Sequence, residues 1–487
     1  MQTTTFEETK AYSDYNFVPV IREILADMIT PIHVLRKIAG TDKNYYLLES
    51  VEPNGKWSRY SFLGYKPVCR LFAKDFTCYL EKDGEVSELG DATKELKKFI
   101  NSYRSPRIKG APTFTGGLVG YFSYEMIGYA ERKLSLKENK VNDFDLMCFD
   151  SVIAYDHQLQ KIMLIANFNP AEGEQGYDAA ISKIEEMERM IFSADDSCDS
   201  RFALAEEDKN PEFTCNTTEE EYSEMVRKTI DYIHEGDIFQ AVVSRKFSAP
   251  YRSSLLSAYR ILRTTNPSPY MYFMNIDGME ITGASPETMV RVNDGVITTF
   301  PVAGTRPRGE TEEIDNALEK ELLADEKELA EHNMLVDLAR NDVGRVAEYG
   351  SVYVAEYMTI HRFSKVMHIA STVKGKLSDK YEPYDAITAL LPAGTLSGAP
   401  KFRACQIIDE LEKEYRGVYG GGIGYIDFGG NLDVCITIRT AAHYDNKVYV
   451  QAGAGIVADS KPANEYMECA NKAGAVIEAI KRAKEVQ

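Results

Sequence analysis

At 487 residues with 44% hydrophobic content, the chain exceeds one ordinary domain and can build a large packed core, which excludes disorder and small disulfide scaffolds. A net charge of -19 argues against general nucleic-acid binding, which needs a basic surface. No stretch reaches the roughly 18 apolar residues that span a bilayer.

The opening "MQTTTFEETKAYSDY" is polar and acidic, so neither a signal nor a transit peptide is expected. From about residue 31 to 170, short apolar runs such as "NYYLLESV", "RYSFLGY", "TGGLVGYFSYE" and "KIMLIANF" alternate with turn signals and predict an antiparallel sheet with few helices, among them "DATKELKKFINSYR". After the helix "YDAAISKIEEMERMI", an acidic, patternless stretch over 196–214 reads as a linker between domains at 1–195 and 215–487. A helix capped by Thr218 and the strand "IFQAVVSRKFS" follow, then hairpins turning on "DG" pairs, a long helix over about 311–340, a glycine-punctuated β region over 417–458 and a last helix beginning near Pro462. Together these predict an α+β chain with large, mainly antiparallel sheets in the core and helices outside.

Eight cysteines never form C-x-x-C and none sits in a G-x-C-x-G turn, so they read as reduced cytoplasmic thiols with no catalytic thiolate among them. Carboxylates are the more informative groups. Glu328 and Glu331 share a helical stripe with Leu335 and Leu338, while Glu465, Glu468 and Lys472 share one with Val476. Two such faces invite a hard divalent cation such as Mg²⁺ between them, and the same spacing equally describes two solvated acidic faces. Gly453, Ala454 and Gly455 in "QAGAGIV" offer bare backbone N–H groups to an anion, or simply mark bulges. His368 alternates with Val366, Ala370 and Thr372 on a strand face, as core histidines also do. "PVAGTRPRGE" (301–310) sets Arg306 and Arg308 beside a small Ala303, and Arg439 falls near the end of a hairpin strand.

The motifs "GASPE", "PVAGTRPRG", "EHNMLVDLARND", "VMH", "GTLSGAPK", "YGGGIGY" and "QAGAGIV", in this order, resemble the chorismate-utilising enzymes over nearly the whole chain. "LLES" (47–50), "RYSFLG" and "NPSPYMYFM" (266–274) narrow the resemblance to the anthranilate synthase large subunits. It implies Mg²⁺ as cofactor on Glu331 and Glu468, supported by Glu328 and Glu465. Gly453, Ala454, Gly455 and Lys472 would surround the ring carboxylate of chorismate, Tyr419 and Arg439 the enolpyruvyl carboxylate, and Thr395 the ring. Glu287 would act as general acid and His368 in the elimination, with Thr305 beside them. Relatives that attack the ring with their own amine, or activate water, carry a lysine at Ala303 or at Gln240. Having neither, this chain is expected to use ammonia supplied by a separate glutamine amidotransferase subunit, as a heterotetramer, in the cytoplasm. Tryptophan is the implied inhibitor, at Leu48, Glu49, Ser50, Asn266, Pro269, Tyr270 and Met271. Lys56, in the wet stretch beyond Ser50, aligns with no ligand position. The alternatives are an aminodeoxychorismate synthase component and a non-catalytic tryptophan-binding regulator.

Overall fold

The helix starts follow from their caps. Thr218 accepts the backbone N–H of Glu221 (3.3 Å) while the Glu221 carboxylate accepts that of Thr218 (2.9 Å), a reciprocal pair that opens the helix Glu219–His234. Pro462 occupies the first turn of the last helix, Pro462–Lys481, where its missing N–H costs nothing. The expected long helix over 311–340 is instead two, Glu312–Ala324 and Glu326–Gly344. Asp325 leaves helical geometry between them, and its carboxylate accepts the N–H groups of Lys327 and Glu328 to start the second. The two "DG" pairs after residue 270 turn hairpins, with φ of 50° and 89° at Asp277 and Gly278 and of 51° and 72° at Asp294 and Gly295, as does the earlier pair Asp83-Gly84.

A computed structural model describes residues 3–50, 59–193, 202–362 and 366–486; Lys56 and positions 196–201 of the expected linker lie outside them. The strands form two sheets of 12. One runs from the edge strand Val18–Leu25 through Tyr45–Glu49, Tyr270–Ile276 and Thr440–Tyr444 to Lys447–Ile456 and Gln240–Pro250. The other runs from Val302–Pro307 and Val366–Lys376 through Leu432–Ile436, Gly422–Asp427 and Gly117–Phe122 to Glu85–Asp91. Strands from before residue 195 and after residue 215 therefore share both sheets. They meet antiparallel where Tyr45–Glu49 pairs with Tyr270–Ile276 and where Gly117–Phe122 pairs with Gly422–Asp427.

One apolar cluster, including Tyr46, Phe62, Tyr272 and Ile281 from the first sheet and Val119, Tyr121, Phe149 and Ile423 from the second, fills the space between the two. The outer faces are covered by helices. Leu35, Ile184, Leu262 and Val476 pack on the first sheet, and Leu96, Val336, Val343 and Ile387 on the second. The expected α+β sandwich with outer helices is the observed architecture.

Candidate active site

The "PVAGTRPRGE" stretch is the edge strand Val302–Pro307, paired with Val366–Lys376 through a bulge at Gly304. Gly304 adopts a left-handed φ of 63°, and a Cβ there would meet Leu322, Glu328 and Ile369 at 3.0 to 3.3 Å, so the bulge requires glycine. The bulge sets Thr305 opposite His368. His368 Nδ1 lies 2.9 Å from the Gly304 carbonyl and 3.0 Å from the Thr305 hydroxyl. A carbonyl can only accept, so Nδ1 carries the proton and Nε2 is the basic nitrogen of the ring. Burial lowers the His368 pKa, only partly offset by the Gly304 hydrogen bond, which keeps the ring neutral.

Both arginines of the stretch anchor it. Arg308 forks onto Asp315 (2.8 and 2.9 Å), and Arg306 donates to Glu321 and Asp325 (2.9 Å each), which pins the strand to the two helices after it. Ala303 is buried beside Ile369.

Across from this edge, half-buried Glu287 follows the strand Met279–Ser285, and its carboxylate accepts the Thr395 hydroxyl (3.0 Å). Burial pushes its pKa up to about 7, opposed by the Thr395 hydrogen bond and the positive charges of Lys472 and Arg439. Arg439 also bears on His368, so it stands electrostatically between the two. It lies three residues beyond the strand Leu432–Ile436, near its end as expected, and directly before the strand Thr440–Tyr444, with a left-handed φ of 51°. Such backbone is uncommon for a non-glycine residue and is a form of strain that collects at functional sites. Among the described residues no carboxylate reaches ion-pair distance of its guanidinium, and burial lowers its pKa. A half-buried guanidinium without an ion-pair partner among the described residues suits a carboxylate ligand.

Tyr419 and the glycines of "QAGAGIV" form the opposite wall. A Cβ at Gly453 would sit 2.8 Å from the Tyr419 hydroxyl, and one at Gly455 2.5 Å from Gln240 Nε2, so both side chains lie directly on the strand Lys447–Ile456. On its other edge, the strand Thr440–Tyr444 pairs only as far as Val450, leaving that edge of Gly453–Gly455 without a neighbouring strand. Ala454 is fully buried. Lys472 Nζ reaches in from the last helix, donating to the Gly453 carbonyl (3.2 Å) and pairing with Glu468 (2.7 Å).

The two expected metal ligands, Glu331 and Glu468, and their supporting residues Glu328 and Glu465 come from two helices. Burial raises the pKa of Glu331, and Glu328 and Glu468 raise it further; Glu465 is raised by burial and then by Glu468. Mutual repulsion between the half-buried Glu328, Glu331 and Glu465 and the exposed Glu468 is what a divalent cation relieves, and an all-oxygen donor set suits Mg²⁺. The carboxylates are not drawn into a closed cluster: among the described residues no group of three or more His, Cys, Asp or Glu is assembled, and Glu468 is held by Lys472.

"LLES" and "NPSPYM" meet in the structure, with Glu49 opposite Met271 and Leu48 opposite Tyr272. They line a cavity of about 550 Å³ with contributions from Leu48, Glu49, Ser50, Pro269, Tyr270 and Met271, and Glu287 also reaches it. The Ser50 hydroxyl is buried there without a partner among the described residues. Asn266 does not line the cavity; it ends the helix Leu256–Thr265, its N–H bonded to Leu262. Nor is Glu49 available to an ammonium group, because Arg263 donates to both oxygens (2.9 and 3.1 Å), Tyr259 to one (2.6 Å) and Ser61 to the other (3.1 Å). Sequence reasoning missed Arg263 and Tyr259, which lie in helical spacing with no mark that they face a strand more than 200 residues away.

The family model for chorismate binding enzymes matches residues 45–478. The chain belongs to the chorismate-binding enzyme family. Within it, the chain is 44% identical to the anthranilate synthase component 1 of Acetivibrio thermocellus over 99% of both chains, and 44% identical to that of Pseudomonas aeruginosa over 96% of both. The structure of anthranilate synthase component I from Streptococcus pneumoniae TIGR4 superposes with a TM-score of 0.77 at 36% identity, covering 93% of this chain and 98% of that one. The menaquinone-specific isochorismate synthase of Escherichia coli, at 18% identity and a TM-score of 0.70, shares the fold. Within this scaffold the charge of Arg439 bears on both Glu287 and His368, and that of Lys472 on Glu287. No helix among the described residues is long and apolar enough to cross a membrane.

Proposed function

We propose that the chain makes anthranilate and pyruvate from chorismate and ammonia, as the large subunit of an anthranilate synthase. The observation that carries this reading is that neither position where relatives carry a nucleophile-supplying lysine has an amine: Ala303 is a methyl group on the edge strand, and Gln240, against Gly455, is an uncharged amide, while the amine of Lys472 is engaged by Glu468 and the Gly453 carbonyl. The nucleophile then comes from outside. In the proposed reaction ammonia adds at C2 of the ring as the C4 hydroxyl leaves as water, taking its proton from Glu287, whose raised pKa suits an acid at neutral pH. His368 Nε2 then removes the C2 proton, the electron pair aromatises the ring, and the enolpyruvyl group departs to become pyruvate. Arg439 and Tyr419 hold the enolpyruvyl carboxylate, and Gly453–Gly455 with Lys472 face the ring carboxylate. Mg²⁺ held by Glu331 and Glu468, with Glu328 and Glu465 behind them, would supply the positive charge that a protein of net charge -19 lacks toward a dianion.

With no thiolate elbow in the sequence, glutamine is expected to be hydrolysed by a partner amidotransferase subunit. Tryptophan is assigned to the cavity of about 550 Å³, where Leu48, Pro269 and Met271 are apolar and the Ser50 hydroxyl lacks a partner among the described residues. Seated on the seam between early and late strands, it would favour an arrangement that disfavours substrate. The test is to incubate the purified chain with chorismate and Mg²⁺ plus either ammonium or glutamine. Anthranilate from ammonium alone is expected; an aminodeoxychorismate product, or glutamine-dependent synthesis by the single chain, would overturn the reading.

A further inference from the structure

Glu412 and Arg416, just beyond the helix Lys401–Leu411, form an ion pair withdrawn from solvent, with side chains 6% and 2% exposed. Arg416 donates through Nε to one Glu412 oxygen (2.9 Å) and through Nη2 to the other (2.6 Å). Its remaining reach goes to backbone, Nη1 to the Leu396 carbonyl and Nη2 to the Val242 carbonyl, both at 2.6 Å. Glu412 in turn accepts the backbone N–H and the hydroxyl of Ser244, both at 2.8 Å. The guanidinium lies over the Tyr124 ring (4.5 Å) and 5.6 Å from that of Tyr419. From the other sheet's side, Glu125 accepts the N–H groups of Arg416 (2.7 Å) and Gly417 (3.0 Å).

Each of these partners adjoins the site. Leu396 follows Thr395, which donates to Glu287. Val242 and Ser244 are the register partners of Gly455 and Gly453. Tyr419 stands three residues after Arg416, its hydroxyl against Gly453. A buried ion pair is a poor source of stability, because desolvation offsets its attraction and an apolar pair of equal volume often folds as well. What this one provides is geometry. We propose that Glu412 and Arg416 are positioning residues that hold the Thr395 turn, the Gly453–Gly455 strand and Tyr419 in one fixed arrangement around the substrate. The proposal rests on the reaction given above but concerns residues that touch no reacting atom.

Stability and activity separate the two possible roles. Arg416→Met alone strands a buried carboxylate and should lower the denaturation midpoint. Combining it with Glu412→Gln keeps an acceptor for Ser244, removes both charges and should recover most of that midpoint. The double variant is expected to remain about 100-fold down in kcat/KM for chorismate, the loss that a displacement near 1 Å produces. Recovery of both midpoint and activity to within threefold of the parent would make the pair merely structural and overturn the proposal. Glu412→Gln alone, the mildest change, covers the case in which the double variant does not fold; it should raise KM and lower kcat together, and parental values for both would overturn the proposal as well. The parent run alongside reports on the reaction itself. If the parent makes no anthranilate, the reaction assignment fails, and the hub is judged by chorismate affinity in equilibrium dialysis, which the variants should weaken at least tenfold and which must not stay unchanged.

Discussion

Thr395→Val tests the acid role of Glu287 through a single hydrogen bond. Thr395 donates to the Glu287 carboxylate at 3.0 Å, and this bond is the largest influence opposing the burial that pushes the pKa up to about 7. Valine keeps the shape and removes the donor. A hydrogen bond to a charged group contributes roughly 1.5–3 kcal/mol, and one pKa unit corresponds to about 1.4 kcal/mol. Because the half-buried carboxylate retains some access to solvent, the lower end applies, a rise of about one unit. The sign follows from the role: a general acid must be protonated, so activity falls as pH rises through its pKa, and a raised pKa carries that alkaline limb upward by about one unit. The assay is kcat/KM for chorismate by anthranilate fluorescence against pH, with free NH₃ held constant, since ammonium itself releases its proton in alkali. Thr395→Ser, which restores the donor, should return the limb to its original position. An alkaline limb unmoved, or moved toward acid, in Thr395→Val would refute the assignment of Glu287 as the acid.

Arg439→Gly should abolish measurable chorismate binding while raising folding stability by about 1 kcal/mol, because glycine removes the left-handed strain at φ 51° together with a half-buried charge; denaturant titration and equilibrium dialysis check the two halves. Glu331→Gln should eliminate Mg²⁺-dependent turnover without changing the fold, and parental activity in excess chelator would exclude the metal. Ser50→Phe, placed in the cavity of about 550 Å³, should raise the tryptophan concentration for half-inhibition by about tenfold or more with little change in maximal rate, read from inhibition curves at fixed chorismate.

What the sequence made legible was local. Caps at Thr218 and Pro462 and the Asp-Gly turns depend on neighbours within a few residues, and they stand where the pattern puts them. The break at Asp325 was equally local but hidden, because an aspartate inside an apolar stripe reads as a solvated position until its side chain is seen capping Lys327 and Glu328. The sandwich class followed from alternating runs, yet which strand neighbours which did not, since the pairing of Glu49 with Met271 is chosen by packing across the whole chain. Composition marks neither Arg263 as the partner of Glu49 nor the Glu412–Arg416 pair as buried. An i,i+4 glutamate and arginine normally signal an exposed helix face, and only the tertiary fold removes this pair from water.

The shared sheets also shape how the chain must be made. Phe122 pairs with Gly422, so the fully buried strand Gly117–Phe122 leaves the ribosome about 300 residues before its partner exists. At roughly 5–20 residues per second, one of its edges stays open for about 15 to 60 seconds. The strand Tyr45–Glu49 waits in the same way for Tyr270–Ile276. For that interval the nascent chain displays apolar strand with unsatisfied backbone, the form most prone to pair with a neighbouring copy. Slowing the ribosome between residues 122 and 270, while both strands wait for their partners, should therefore lower the soluble yield more than slowing it after residue 427, when both partners have been made.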